Sequence, residues 1–349
     1  MDTTSGTLDE ALRRLHHSGP EFRGFLSNHG PMAVEALVRR GQAHTVHRWL
    51  DTYETKLEDV PRPLARITDE NWREALGDPR RVTDWTGHFR RQVAERPWRE
   101  VLAEWWPRLL PGVAGAAAHP VIRVGHVVRA LAEEGEDAPR VAELAHALGY
   151  WAARHTPLPT EVRPTGDAGP TEALAALPRI ADQRVVPLQG YAQLPETAGW
   201  LTTVESLGVP EEPEAIRARL TELVRAATLA YGRYGHGNPI MLVHAATAPN
   251  AILRTLPALP HALWRPSLSV AWAVTAAITS IYAADAPRPA PDAASYAPQE
   301  VFERAVVNGN EHAIKFADTA LDVAAASPDG DTRALSAALN AIQLIDTDD

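Results

Sequence analysis

Apolar residues recur at three- and four-residue spacing along almost the whole chain, and the two-residue alternation of a half-buried strand is nearly absent. Leu8, Leu12 and Leu15 share one helical face before Ser18-Gly19-Pro20 ends the run. Pro31 opens a second helix that closes at Gly41. Further helices are expected over 98–110, 120–131, 138–155, 213–231, 266–284, 298–325 and 331–345. In the longest of the amphipathic ones, Ile216, Leu220, Leu223, Ala227 and Ala230 form a stripe at helical spacing. The pattern predicts an all-α fold of roughly a dozen helices.

Two segments interrupt it. Residues 155–200 carry seven prolines with short apolar pieces between them, and 286–298 is a second Pro-rich stretch. Irregular segments of this length in compact enzymes serve as lids or wrapping loops. The apolar residues within the first argue that it packs, so one large helical domain over 1–349 is expected, with 45% hydrophobic residues to fill it.

Composition removes several functions. A net charge of −10 gives no basic footprint for nucleic acid. The absence of cysteine excludes disulfides, thiolate metal ligands and cysteine nucleophiles. No run of about 18 apolar residues suggests a membrane span, and the first residues lack the basic start and apolar stretch of a signal peptide. A cytoplasmic location is the default expectation; oligomeric state is left open.

The histidines are informative by position. Asn28-His29-Gly30-Pro31, His119-Pro120 and His236-Gly237-Asn238-Pro239 each set a histidine one to three residues before a proline, with an apolar helix following. Proline favours the first helical position. The imidazoles therefore sit at helix N-termini, where the dipole disfavours the charged ring and leaves the neutral form that binds metals. Any one of them alone is more simply structural; three together bring the odds to even. His126 follows His119 by seven residues, on the same face but about 10 Å along the axis, too far to share one ion. His244 lies in an otherwise apolar helix start and needs a partner. His312 and Lys315 lie three apart on one face. A desolvated Lys315 would act as a base or take up carbon dioxide as a carbamate, whereas on spacing alone it snorkels and pairs with Glu311 or Asp318. Glu143-x-x-His146 has no second copy, so a di-iron bundle is not indicated. No Rossmann, Walker A or Gly-x-Ser-x-Gly context occurs.

Asn28-His29-Gly-Pro-Met32, His119-Pro-Val-Ile-Arg-Val-Gly-His126, His244-Ala-Ala-Thr-Ala-Pro249, Leu256-Pro-Ala-Leu-Pro260 and Glu311-His-Ala-Ile-Lys315, in this order, resemble the questin oxidase-like family. The resemblance runs from about Leu8 to Ala325. It implies an oxygenase acting with dioxygen on an aromatic polyketide-type substrate, an anthraquinone-like phenol or quinone. The outcome would be ring cleavage or oxygen insertion in secondary metabolism. It also implies an Fe(II) site with His29, His119, His244 and His312 as ligands and Lys315 as a carbamate; use of NADPH stays open. Fungal members tend to carry histidine where this chain has Arg123, and an aromatic residue where it has His126. Arg123 stays protonated and is expected to stabilise an oxyanion or bind substrate, and whether His126 replaces a ligand is left open. Two rivals remain: metal-free oxygenation with His29 or His244 as general base, and a non-catalytic protein binding an aromatic metabolite.

Overall fold

The computed structural model describes residues 3–327 and 330–346. Its architecture is all-α, as the periodicity predicts. Among the described residues the β-structure is one short hairpin, Glu21–Phe22 paired with Leu26–Ser27, and three isolated bridges. Contacts divide the chain into two compact units, Met1–Pro157 with Arg254–Pro260, and Leu158–Leu253 with His261–Asp349.

In the first unit, Val82–Glu95 and Ala138–Ala153 share the broadest interface. The helix His119–Glu133 packs against both Ala138–Ala153 and Gly30–Arg39. It is buried on every side from His119 to Leu131. A helix enclosed in this way should be apolar all round, yet His119, Arg123 and His126 recur at four- and three-residue steps with Arg129 beside them. The two flanking helices each supply one buried carboxylate to that stripe, Glu35 from Gly30–Arg39 and Glu143 from Ala138–Ala153.

The second unit is built around Pro213–Tyr234, which packs on Trp264–Tyr282, Glu311–Ala326, Thr332–Leu344 and the short Pro170–Ala175. The Pro-rich segment 155–200 does pack, as its apolar residues suggest. Leu174, Leu177, Ile180, Tyr191 and Leu194 are all buried. One expected helix is corrected. The 298–325 run is two helices, Pro298–Asn308 and Glu311–Ala326. Gly309, at φ +79°, turns the chain in the left-handed region that closes a helix. Asn310 then caps the second helix by accepting the His312 backbone N–H at 2.9 Å. The break places His312 in the first turn of a new helix. The helix expected after Pro239 is present as Pro239–Thr255, which holds His244 and tolerates Pro249 inside it. Eight of the ten tryptophans are buried, so most of them serve the core.

The entry to His119–Glu133 carries the most unusual backbone. Ala116, Ala117 and Ala118 are all left-handed, at φ +45°, +54° and +67°. For an L-residue this conformation costs about 1–2 kcal/mol each. Gly115, just before, cannot be replaced, because a Cβ there would lie 1.8 Å from the Arg154 carbonyl oxygen. The turn brings the Ala116 carbonyl back onto the His119 ring. Replacing Ala118 with glycine should therefore raise stability by about 1 kcal/mol, while Gly115→Ala should destabilise severely. Chemical denaturation checks both, and an Ala118→Gly protein no more stable than wild type would contradict the strain.

Candidate functional site

Each unit holds a pair of buried histidines. In the first, His29 occupies the N-cap of Gly30–Arg39, its backbone N–H donating to the Tyr53 hydroxyl at 2.6 Å. His119 is the first residue of its helix, as its place before Pro120 predicts. The two Nε2 atoms meet at 2.6 Å. His119 Nδ1 lies 2.5 Å from the Ala116 carbonyl oxygen. A carbonyl only accepts, so Nδ1 carries the proton and Nε2 presents its lone pair.

In the second unit His244 and His312 meet edge to face with ring centroids 5.4 Å apart. His244 Nδ1 donates to the Met241 carbonyl at 3.1 Å, the partner its apolar surroundings demand. His312 Nδ1 faces the Asn310 side-chain oxygen at 3.3 Å. Three of the four expected ligands thus direct Nδ1–H at a carbonyl-type oxygen, which fixes the tautomer with Nε2 as the unprotonated nitrogen.

Lys315, one turn beyond His312, has no solvent exposure, so it does not snorkel. Its Nζ has no hydrogen-bond partner among the described residues. Burial outweighs the attraction of Glu311 and brings its pKa down to about 7. The amine is therefore available in neutral form near physiological pH.

The other two expected site residues lie in saturated ion pairs. Arg123 is bidentate on Glu143, with Nε–Oε1 at 2.5 Å and Nη2–Oε2 at 2.8 Å. His16 Nε2 approaches the same carboxylate at 2.9 Å and stacks on His146. The expected oxyanion role thus meets a guanidinium already committed to a buried carboxylate. His126 donates Nδ1–H to Glu35 at 2.6 Å, while Arg129 Nε bonds the other oxygen at 2.8 Å. Its Nε2 faces Arg254 Nη1 at 3.5 Å. Two guanidiniums beside this ring make it a poor neighbour for a cation.

Burial, then the two arginines, hold His126 down to about 4 against the pull of Glu35. Burial raises Glu35 and Glu143, but Arg129 and His126 on the one, and Arg123 and His16 on the other, bring each to about 2. His236 lies in a 3₁₀ turn, Gly235–Gly237, and is only half-buried.

Sequence reasoning missed Glu35, Arg129 and Arg254. The signal for Glu35 was present, a lone carboxylate inside the apolar run Met32 to Val38.

Imidazole nitrogens with hydrogen-bonded outer atoms are groups that could hold a metal ion. The model of the questin oxidase-like family matches residues 26–320, most of the chain. The chain belongs to the questin oxidase-like family. No curated protein matched it. Questin oxidase-like membership suggests an oxidoreductase of the oxygenase kind, with an aromatic polyketide-type substrate and dioxygen. Among the described residues no helix is long and apolar enough to cross a membrane.

The buried ion pairs set a pH dependence. Glu35 and Glu143 protonate near 4.5 when unfolded and near 2 when folded, and His126 near 6.5 and near 4. In each window the unfolded chain binds the extra proton, so stability falls as pH falls. We expect loss to begin near pH 6.5, steepen below 4.5 and continue towards 2. Glu143→Gln should flatten the part below 4.5; an unchanged slope in that variant would contradict the assignment.

Proposed function

We propose that this protein is an oxygenase that cleaves, or inserts oxygen into, the ring of an anthraquinone-like phenol or quinone. Fe(II) would be held by His29, His119, His244 and His312, with Lys315 as a carbamate. The observation that carries the reading is the shared tautomer. His119, His244 and His312 each tie Nδ1–H to a carbonyl-type oxygen, which makes Nε2 the unprotonated nitrogen. A purely structural histidine has no need of such agreement in three separate places. Imidazole with carboxylate-type oxygen suits Fe(II), and Zn or Mn as well.

Bound there, Fe(II) supplies the electrons and spin match that let dioxygen react with a closed-shell aromatic ring. The chain's own residues do the rest. The left-handed turn holds the His119 ring through the Ala116 carbonyl, so its Nε2 needs no reorientation when a ligand arrives. Asn310 holds His312 by both the backbone N–H and the ring. The neutral Lys315 amine attacks carbon dioxide; a new N–C bond forms, one C–O π bond becomes the carboxylate electron pair, and one N–H proton leaves. The product anion offers oxygen in place of the neutral amine nitrogen. Arg123 and His126 act as positioning residues, through Glu143 and Glu35, on the helix that carries His119.

A specific observation also favours a second reading. The 2.6 Å contact between the His29 and His119 Nε2 atoms fits an N–H···N bond as well as a shared ligand position. In that case oxygenation is metal-free, with His29 or His244 as general base and the activated substrate carbanion itself reducing dioxygen.

Oxygen uptake with a polyhydroxyanthraquinone tests the proposal, and its absence would favour a binding protein. His312→Ala should abolish uptake while leaving the fold intact; turnover at the wild-type rate would remove His312 from the site. Lys315→Ala should lose metal and regain part of it with added acetate or formate. Lys315→Met should raise the melting temperature of the metal-free protein near pH 7, since it removes an amine that burial disfavours. Full metal retention in Lys315→Ala would contradict the carbamate.

A further inference from the structure

The two Pro-rich segments take no part in the histidine chemistry, yet both wall one cleft of the second unit. It encloses about 640 Å³, a size that suits a mid-sized organic molecule. Leu174 comes from the first segment and Pro291 from the second, facing Leu229 of the helix Pro213–Tyr234. None of its lining residues is an expected metal ligand.

Its charge is unusual for this chain. With a net charge of −10 overall, the cleft collects Arg179, Arg225, Arg233 and Arg333. Two of these share a single carboxylate. Asp331 takes Arg225 Nη2 at 2.7 Å and Arg333 Nε at 2.9 Å. The other two form no ion pair among the described residues, although Asp285 lies near Arg179 and Asp292 lines the cleft. Arg179 is anchored by Nη1, which donates to the Leu177 carbonyl at 3.0 Å. Its Nε is buried and has no hydrogen-bond partner among the described residues. The guanidinium edge made by Nε and Nη2 is the one that binds a carboxylate with two parallel bonds. Tyr234 stands beside it, with its ring centroid 5.9 Å from the Arg179 guanidinium and 5.5 Å from that of Arg233.

We propose that this cleft is a second binding site, separate from the histidines, for a flat organic carboxylate. Its carboxylate meets Arg179 and Arg233, its ring lies along Tyr234, and its apolar body fills the space between Leu174 and Leu229. The apolar walls and the volume favour an organic body over a bare inorganic anion.

Calorimetric titration of the full-length protein tests this with 2-naphthoate and its uncharged analogue 2-naphthamide. Naphthoate should bind at one site and the amide about tenfold more weakly or less, since charge-assisted bonds carry the difference. Arg179→Gln and Arg233→Gln should each weaken naphthoate about tenfold. Ala230→Trp, which fills the cleft and keeps both guanidiniums, should abolish binding, and His312→Ala should leave it unchanged. Equal affinity for acid and amide, no binding of naphthoate at millimolar concentration, or insensitivity to Arg233→Gln would each overturn the proposal. Displacement of naphthoate by equimolar inorganic phosphate would overturn the organic-carboxylate assignment in favour of a bare anion. Arg233 is exposed, so its variant decides the matter should Arg179→Gln fail to fold.

Discussion

The bond from His119 Nδ1 to the Ala116 carbonyl fixes the orientation of a buried imidazole, and the local backbone is arranged around it. Three left-handed alanines in succession are unfavourable by several kcal/mol, and nothing in the alanine side chains offsets that. The surrounding packing does. Gly115 fits against the Arg154 carbonyl where no side chain would, and from His119 onward the helix is enclosed. Strain held at one point by rigid surroundings is a common property of functional positions. Here it sets the His119 ring so that Nε2, the unprotonated nitrogen, faces His29 Nε2 at 2.6 Å.

The buried charges divide into two kinds. Glu35 and Glu143 are saturated, each bonded to one guanidinium and one imidazole, and their acidity follows from those partners. Such pairs add little net stability but are costly to break, because the remaining charge is stranded. They tie three helices of the first unit together along one polar stripe. Lys315 is the opposite case. It is wholly buried with no hydrogen-bond partner among the described residues. The proposed carbamate would turn that isolated amine into an anionic oxygen donor, a role that packing does not supply.

Much of this was legible in the sequence and some could not have been. The helical period gave the fold class, and proline after histidine located His29 and His119 at helix starts, because a missing N–H leaves no bond unmade there. The break at Gly309 and Asn310 was readable in principle, as glycine followed by a capping residue, but apolar residues continue on both sides and mask it. The partners of His126 were not readable, since Glu35 lies 91 residues away and pairing across packed helices leaves no local pattern. Nor was the fate of Lys315. Spacing puts Glu311 and Asp318 within reach, and only the tertiary burial of Glu311–Ala326 shows that the side chain has no path to solvent. The left-handed alanine turn runs against every local preference of its residues, so propensity could only have missed it.

The central claim is that both histidine pairs and Lys315 serve a metal. The most direct test is elemental analysis of full-length protein purified without chelators and without a histidine-rich tag. Near-stoichiometric iron, lost in His119→Ala and in His312→Ala alike, is what the account predicts. Absence of any transition metal, even after anaerobic reconstitution with Fe(II), would contradict it.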